Sequence, residues 1–284
     1  MKLLIAGAGG QLGRALQAHV PPGTSVVAPP EADFDITDAA AVARVVAESG
    51  ATHLVNAAAY TAVDKAEADG DAARRINADA VAILAGAART AGVAYIQVST
   101  DFVFDGTAHY PYAPDAATNP ISVYGATKLA GEAAAGADAL IVRTAWVYAA
   151  QGNNFVKTML RVMAERPEVR VVADQIGSPT HADGLAGALW ALAAAGITGT
   201  QHWTDAGVAS WYDFAVAIQE EALAIGLLAT PVPIVPIRTA DYPTPARRPA
   251  YSVLDKTGTW AITGPARHWR CELRDCLQAM KASA

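Results

Sequence analysis

The first half of the chain alternates between short apolar runs and longer alanine-rich stretches, and this alternation limits its fold more than any other feature. The apolar runs predict strands at 2–6, 25–28, 53–58, 93–99 and 139–144. The stretches between them predict helices near 11–20, 38–49, 71–91 and 122–136. Strands that are apolar along their whole length are typical of a parallel sheet with helices on both faces. The pattern therefore predicts the α/β class, with a doubly wound parallel sheet.

The second half of the chain has a looser pattern. We expect helices at 153–165, 182–195 and 211–225, and strands near 169–173 and 200–204. Ser210 and Asp213 form a capping-box pattern at the start of the last of these helices. Six prolines within 229–249 predict an irregular loop wrapped around a site. The chain is thus expected to have a first domain over 1–148, completed by the strands near 169–173 and 200–204, and a smaller second domain built mainly from 149–284.

Composition and charge exclude several classes of protein. With 52% hydrophobic and 17% charged residues, the chain has the profile of a compact rather than a disordered protein. Its net charge of −6 argues against a nucleic-acid or anionic-membrane partner, because binding to phosphates needs clustered positive charge. The longest apolar stretch, 185–197, is shorter than the roughly 20 residues of a membrane span and predicts a buried helix.

The remaining compositional signals concern the compartment. The apolar run at the start of the sequence is too short for the core of a signal peptide. Cys271 and Cys276 are five positions apart, which fits neither a redox motif nor a local disulfide. We therefore expect a cytoplasmic protein with no membrane and no nucleic-acid partner.

A glycine pattern follows the first predicted strand directly and opens the first helix. Gly7, Gly10 and Gly13 have the spacing GxxGxxG. In a dinucleotide-binding turn the early glycines let the pyrophosphate approach the backbone, and the last permits close packing of helix on strand. The helix amino terminus then faces the phosphates. The pattern predicts a Rossmann dinucleotide-binding domain over 1–148.

The choice of cofactor stays open at this point. The acid that usually contacts the ribose lies near the end of the second strand, but this chain has Ala28-Pro29-Pro30-Glu31 there, and Asp33 and Asp35 come later. No arginine stands nearby for a 2′-phosphate, so both NADH and NADPH are candidates. Asp35 and Ile36 are candidates to line the adenine, and an ordinary turn is the alternative interpretation of Asp35.

Tyr124 and Lys128 are the candidate catalytic pair. Four residues apart on a helix, they share one face. A neighbouring cation lowers the pKa of a phenol from its ordinary value of about 10. Such a phenol can give a proton to a carbonyl oxygen while hydride reaches the carbon. The pair is a weak signal alone and a strong one downstream of the glycine pattern.

Ser99, Thr100 and Asp101 stand at the carboxyl end of a predicted strand, where open α/β sheets bind their ligands. A hydroxyl here can polarise a substrate carbonyl beside the tyrosine. The alternative is a strand-ending turn, in which these residue types are common.

Together these residues resemble the extended short-chain dehydrogenases/reductases, and within them the dTDP-4-dehydrorhamnose reductase family. The similarity runs along nearly the whole chain, in the stretches 56–67, 99–106, 124–132, 143–148, 152–155, 174–180 and 243–249. The later stretches are more specific than GxxGxxG or YxxxK, which many unrelated reductases share.

The resemblance implies reduction of the C4 ketone of dTDP-4-dehydro-L-rhamnose to dTDP-L-rhamnose by NADPH or NADH. In this interpretation Tyr124 is the proton donor, Lys128 lowers its pKa and holds the nicotinamide ribose, and Thr100 tunes the tyrosine. The implied cofactor-binding residues also include Gln11, Leu12, Ala57, Ala58, Ala59 and Tyr60. The implied substrate-binding residues are Thr100, Asp101, Trp146, Asn154 and Arg247. Core packing is the alternative for Trp146, and a solvated loop pair with Arg248 is the alternative for Arg247.

This sequence departs from the family pattern in two places. Phe102 stands where many relatives have tyrosine, so a hydroxyl there cannot be essential here. Arg14 and Ala15 replace the acidic residue by which some relatives hold a metal at a dimer contact. We therefore expect no metal, and His181 with Asp183 lacks the further ligands that a metal site needs. A homodimer without such a metal is still open.

Three alternatives compete with this function. Another nucleotide-sugar 4-ketoreductase would share nearly all of these motifs. A non-catalytic subunit, similar to the regulatory subunit of methionine adenosyltransferase, would keep the dinucleotide site without needing Tyr124. A sugar epimerase would use the same tyrosine and lysine with tightly held NAD.

Overall fold

The computed structural model describes residues 1–283, and its strands and helices alternate through the first half of the chain as the sequence predicts. The strands are β1 (Lys2–Ala6), β2 (Ser25–Val27), β3 (His53–Asn56), β4 (Ala94–Thr100), β5 (Leu140–Thr144), β6 (Val147–Tyr148), β7 (Val169–Val172), β8 (Ile176–Gly177), β9 (Thr180–His181), β10 (Gly199–His202), β11 (Ala209–Ser210) and β12 (Ile234–Ile237). The α-helices are α1 (Gln11–Ala18), α2 (Ala39–Ser49), α3 (Val63–Ala66), α4 (Gly70–Arg74), α5 (Ala80–Ala91), α6 (Val123–Ala135), α7 (Phe155–Glu165), α8 (Ala182–Ala194), α9 (Trp211–Ala224), α10 (Thr257–Thr263) and α11 (Trp269–Ala282).

Six parallel strands form the main sheet, in the order β10-β5-β4-β3-β1-β2. Helices α1 and α8 cover one face, where Leu12, Leu16 and Leu189 are buried. Helices α2 and α5 cover the other face, with Val42 and Leu84 in its core. The predicted α/β class with a doubly wound parallel sheet is confirmed. Since the strand order reverses between β1 and β3, the crevice at their carboxyl ends is where such a sheet binds ligands.

A second hydrophobic core lies in the carboxyl-terminal half. Helices α7, α9 and α11 bury Val156, Met163, Phe214, Ile218 and Leu273 together. The predicted capping box opens α9, since Ser210 and Asp213 exchange hydrogen bonds of 3.0 Å and 2.9 Å with each other's backbone amides. The predicted buried helix is α8, and no helix within residues 1–283 is long and apolar enough to cross a membrane.

Strand β7 differs from its predicted place in the main sheet. Instead of extending that sheet it pairs in parallel with β12, while β10 alone joins the main sheet, beside β5. The reason is the helix before it. Since α7 packs into the second core, it carries β7 into the same lobe.

The proline-rich stretch also differs from the prediction that it is irregular throughout. Strand β12 lies within it and includes Pro236. The carbonyls of Pro233 and Ile237 accept hydrogen bonds from the amides of Val169 and Ala173, at 2.9 Å and 2.8 Å. A strand with a single neighbour can serve as acceptor where proline removes its own donors.

The helix predicted over 71–91 is interrupted by a π-helical turn over Arg75–Asp79. The side chain of Asn77, in this turn, accepts from the amide of Tyr60 at 2.9 Å and donates to the hydroxyl of Thr127 at 3.2 Å. On α6, a Cβ at Gly131 would lie 2.0 Å from the carbonyl oxygen of Asn77. The turn and a glycine therefore let two helices approach within backbone contact, and Asn77 ties the segment after β3 to α6.

Substitution of Gly131 by alanine tests this contact. We expect Gly131→Ala to lower the free energy of unfolding by about 2 kcal/mol or more, because the added methyl collides with a backbone carbonyl that cannot move freely. Gly86, within α5, is the matched control, since a Cβ there meets nothing within 4 Å. Gly86→Ala is expected to gain up to about 1 kcal/mol from helix propensity. Urea denaturation measures both, and equal effects of the two variants would refute the steric explanation.

Candidate active site

The glycine turn after β1 is built by close backbone contacts. Gly7 has φ +78°, and a Cβ there would lie 2.6 Å from the amide nitrogen of Ala58. A Cβ at Gly13 would lie 2.2 Å from the carbonyl oxygen of Gly7. Gly10 precedes α1 without a side-chain cap, so the first amides of that helix are available to an anion. The structure thus brings the predicted residues Gly7, Gly10 and Gly13 together, with Gly7 against Ala58 and with Gln11 and Leu12 in the first helical turn.

The segment 57–60 leaves the carboxyl end of β3 beside this turn. Ala57 donates its amide hydrogen to the carbonyl of Ala6 at 3.0 Å, and Ala58 donates to the side chain of Asn56 at 3.1 Å. Ala59 is half-buried, and Tyr60 packs in a cluster with Tyr124 and Phe102. The segment therefore connects the glycine turn to the candidate catalytic tyrosine.

Asp35 and Ile36 lie apart from this cluster of backbone contacts. The carboxylate of Asp35 accepts from the amide and the hydroxyl of Thr37, both at 2.8 Å, and these hydrogen bonds lower its pKa. Ile36 is buried in the core under α2. Arg75 lies near enough to Asp35 to lower the pKa of its carboxyl further, and the sequence offered no signal for this cation because it comes from a helix forty positions away.

Tyr124 and Lys128 are buried on the same helix, α6. The ammonium of Lys128 donates to the carbonyl of Val98 at 2.7 Å. At the end of β4, the hydroxyl of Thr100 donates to Asp101 at 3.0 Å, and Phe102 packs edge-on against the Tyr124 ring at 5.4 Å between centroids. The structure thus brings the predicted catalytic residues together at the carboxyl end of β4.

Burial governs the acidity of both catalytic side chains. It raises the pKa of Tyr124 to about 12, with the Thr100 hydroxyl lowering that pKa and the Asp101 carboxylate raising it further. Burial lowers the pKa of Lys128 to about 8, opposed by Glu132. The ammonium of Lys128 is engaged by the carbonyl of Val98, and the lowering of the phenol pKa by Lys128 stays a prediction. At neutral pH the phenol keeps its proton and can donate it.

Asp101 is 2% exposed, and one of its carboxylate oxygens, Oδ2, has no hydrogen-bond partner within the described chain. Oδ1 accepts from the Thr100 hydroxyl, and burial raises the pKa of this carboxyl to about 6, with the nearby Ser252 and Thr100 hydroxyls lowering it. Buried acceptors are nearly always paired in folded proteins. An unpaired one beside Tyr124 indicates a place for a hydroxyl of a ligand.

A buried ion pair beneath the site was missed at the sequence level. Glu132, one turn beyond Lys128, forms a two-point contact with Arg143 of β5, at 2.9 Å and 2.7 Å, and both side chains are 6% exposed. The hydroxyl of Ser99 donates to the same carboxylate at 2.5 Å. His202 lies 3.5 Å from Arg143, and burial, followed by that guanidinium, lowers the His202 pKa to about 3. An arginine inside an apolar strand was the signal that could have revealed this network.

Trp146 has a strained backbone, with φ +50°, and within residues 1–283 it is the one non-glycine residue at positive φ. Its ring stacks on Trp211 with 3.6 Å between centroids and 11° between planes. A Cβ at Gly177 would lie 2.8 Å from the Trp146 ring, and Phe155 packs on Trp211 at 4.6 Å. Strain of this kind is tolerated where the surroundings fix the residue, often at functional sites.

The last two predicted substrate residues lie in different settings. Asn154 caps α7, and its side chain donates to Gln11 and to the carbonyl of Ala149, both at 2.8 Å. It therefore joins the first turn of α1 to the second lobe. Arg247 is exposed, whereas its neighbour Arg248 faces a cavity.

This cavity, of about 360 Å³, opens between the two lobes. Its lining consists of Asp64, Phe155, Met159, Arg170, Val171, Val172, Gln175, Trp211, Tyr242, Thr244 and Arg248. Its aromatic residues come from α7, α9 and the proline-rich stretch, and its charged residues from α3, β7 and the proline-rich stretch. Sequence motifs contained several of these residues but gave no indication that they meet. Within residues 1–283 no group of three or more histidine, cysteine or acidic side chains is placed to hold a metal ion.

The chain is similar to proteins of known activity along nearly its whole length. The model of the family described as "RmlD substrate binding domain" matches residues 1–282. The dTDP-4-dehydrorhamnose reductase of Burkholderia thailandensis is 46% identical over 268 residues, which are 89% of this chain and 90% of that protein. The enzyme of the same name from Escherichia coli K12 is 42% identical over 267 residues, 90% of this chain and 89% of that protein.

Solved structures of dTDP-4-dehydrorhamnose reductases are similar to this chain over nearly its whole length. The crystal structure of a dTDP-4-dehydrorhamnose reductase from Clostridium acetobutylicum superposes with a TM-score of 0.92 at 40% identity, covering 99% of this chain and 100% of that one. The enzyme of that name from Bacillus anthracis, in complex with NADP, gives 0.91 at 35% identity, covering 98% and 99%.

We expect the buried carboxylate of Asp101 to destabilise the folded protein in a pH-dependent way. Because folding raises the pKa of Asp101 from 3.8 to about 6, the cost of burying its charged form is present above pH 6 and disappears as the pH falls toward 3.8. We expect Asp101→Asn to raise the free energy of unfolding at pH 8 by about 2 kcal/mol, and the gain to shrink as the pH falls below 6.

Asp105 serves as the control of opposite sign. Hydrogen bonds from Thr107 lower the pKa of Asp105 to about 2, so its charged form favours folding above the unfolded pKa, and Asp105→Asn should be destabilised at pH 8. Thermal unfolding at several pH values measures both variants. Destabilisation of Asp101→Asn at pH 8 would contradict the prediction, since it would mean that the charged carboxylate favours folding.

Proposed function

This chain belongs to the RmlD substrate binding domain family, and on that premise we propose that it reduces the C4 ketone of dTDP-4-dehydro-L-rhamnose to dTDP-L-rhamnose with NADPH or NADH. One observation carries the proposal. A buried tyrosine and lysine stand next to a buried carboxylate with one unpaired oxygen, at the same sheet edge as a turn shaped for a dinucleotide. The names of its relatives supply the substrate.

The residues at the sheet edge fit a dinucleotide. Its diphosphate would face the first amides of α1, where Gly10 leaves the backbone open and no acidic side chain stands in the first turn. The segment 57–60 would line the same groove. The bound cofactor supplies hydride to the ketone carbon. Both NADPH and NADH are candidates, and Asp35 and Arg75 are the charged groups at the proposed adenine end of the groove.

Tyr124 would supply the proton. As hydride reaches the carbon, the carbonyl oxygen gains negative charge and takes the phenolic hydrogen, which leaves a hydroxyl on the sugar and a phenolate on the enzyme. The Lys128 ammonium on the same helix would stabilise that phenolate, and the hydroxyl of Thr100 would help to polarise the carbonyl. Solvent then returns a proton to the tyrosine.

The substrate would extend from this centre into the cavity. The unpaired Oδ2 of Asp101 would accept a sugar hydroxyl, and Trp146 would pack against the deoxysugar. The aromatic walls and cations of the cavity suit a nucleoside diphosphate, since pockets of a few hundred cubic ångströms are typical of such ligands. Arg248 is a better candidate than Arg247 for the diphosphate, because it faces the cavity. Residues 149–284 would thus act mainly as the substrate-binding domain.

We propose that the enzyme is cytoplasmic, that it binds a dTDP-sugar and that it can form a homodimer. A reductase for a different 4-keto nucleotide sugar would use the same groups. A non-catalytic role is disfavoured because the geometry keeps Thr100, Tyr124 and Lys128 together.

The first experiment is oxidation of NADPH and of NADH, followed by nicotinamide absorbance, with enzymatically generated dTDP-4-dehydro-L-rhamnose. We expect Tyr124→Phe to lower kcat by about 10²–10⁴-fold while the Kd for NADPH is retained, because the variant loses only the proton that the ketone oxygen needs. Tyr110→Phe, 67% exposed on a loop, is the control with normal turnover. Near-normal turnover of Tyr124→Phe would overturn the role of the tyrosine, and sugar-independent or absent oxidation by the wild type would overturn the function.

A further inference from the structure

An ion pair between Asp64 and Arg248 connects the two lobes at the wall of the cavity. Asp64 lies on α3, and Arg248 ends the proline-rich stretch. Their side chains are 41% and 24% exposed, and both line the cavity. The reductase function proposed above does not use this pair as such.

Asp64 binds the guanidinium of Arg248 through the edge formed by its two terminal nitrogens. Oδ1 of Asp64 accepts from Nη1 of Arg248 at 3.0 Å, and Oδ2 accepts from Nη2 at 2.7 Å. Nη1 also donates to the Thr244 hydroxyl at 2.6 Å and to the Ala246 carbonyl at 3.1 Å. The hydrogens of Nη1 are therefore used, and the end of the guanidinium faces Asp64.

The other edge of the guanidinium is unused. Nε and the second hydrogen of Nη2 have no acceptor within residues 1–283. These two hydrogens form a fork that matches two oxygens of a phosphate group. Arg248 thus offers a complete phosphate-binding edge while Asp64 keeps its other edge occupied.

Asp64 is itself fixed in place. It accepts a third hydrogen bond, from the amide of Ala246 at 3.2 Å. Glu67, three residues later, accepts from the amide of Val123 at 2.9 Å, at the start of the helix that carries Tyr124. Val63 packs in the same cluster as Tyr124. The pair therefore stands at a defined position relative to the reacting centre.

We propose that Asp64 is a positioning residue that occupies one edge of Arg248 and thereby aims the other at the diphosphate of the nucleotide-sugar substrate. The charges of the cavity agree, since Arg170 and Arg248 outnumber the single acidic lining residue, Asp64. This inference rests on the proposed function for the identity of the nucleotide, but not for the diphosphate chemistry.

Calorimetric binding of dTDP to the full chain tests it. Arg248→Gln should raise the Kd for dTDP about 30-fold, and Arg248→Lys about 10-fold, because an ammonium keeps the charge but cannot make the fork. Asp64→Asn should raise the Kd for dTDP about 5-fold, because the Arg248 guanidinium is no longer held by a carboxylate. In turnover the KM for the sugar nucleotide should rise by similar factors while kcat changes little.

A double variant separates positioning from a general structural role. Because Asp64 acts only through Arg248, Asp64→Asn with Arg248→Gln should bind dTDP no more weakly than Arg248→Gln alone. Arg89→Gln, an identical charge change at an exposed residue of α5, should stay within about 2-fold of wild type. The Kd for NADPH should be unchanged in every variant, which also shows that each is folded.

Three results would overturn the inference: normal dTDP affinity in Arg248→Gln, tighter binding in Asp64→Asn, or additive losses in the double variant. If Arg248→Gln does not fold, Arg248→Lys and Asp64→Asn decide by the same criteria. A wild type that binds no dTDP contradicts the proposed substrate instead. Inorganic diphosphate is then the probe, and loss of its binding in Arg248→Lys still supports the inference, whereas unchanged binding rejects it.

Discussion

The contact between Glu132 and Arg143 is the interaction on which the active-site geometry depends. It joins the helix of Tyr124 and Lys128 to strand β5 of the main sheet, and both side chains are buried. Removing one partner of such a pair leaves an uncompensated buried charge, which typically costs about 3–5 kcal/mol, a large part of a stability margin of roughly 5–15 kcal/mol. Ser99 and Arg143 are register partners on neighbouring strands, so both reach the same carboxylate. The helix is therefore held by a directional contact, which fixes rotation about its axis as well as distance.

The sequence predicted local structure well and the meeting of distant segments poorly. Strands β1 to β5 and helices α1, α2 and α6 to α9 are where periodicity placed them, because each depends on apolar residues within one short window. The strand at 169–172 was assigned to the wrong sheet, since its neighbour is decided by the packing of α7 rather than by its own residues. The π-helical turn at Arg75–Asp79 was missed for a similar reason, because its contact is with Gly131, more than fifty residues later in the sequence.

In the candidate site, too, single motifs were predictable from the sequence and contacts between distant residues were not. Motifs identified the candidate catalytic residues that meet at the carboxyl end of β4, because the proposed chemistry restricts residue type there. They did not distinguish Arg248 from Arg247, since two adjacent arginines look alike until the backbone direction is known. Burial is the largest cause of the pKa shifts of Tyr124 and Lys128, and their spacing on a helix does not reveal it. Lys128 and Tyr124 share a helix face, yet Val98 engages the ammonium, and proximity in sequence says nothing about competing partners.

The stacked rings of Trp146 and Trp211 have a consequence for how this molecule can be observed. One ring follows the central sheet and the other opens a helix of the second lobe, and their centroids are 3.6 Å apart. Two indoles at that separation share their electronic excitation, so they absorb circularly polarised light as a coupled unit. Any motion that unstacks them erases that signal. The Trp146–Trp211 stack is therefore a built-in optical label, and its opening can be followed without attaching a dye.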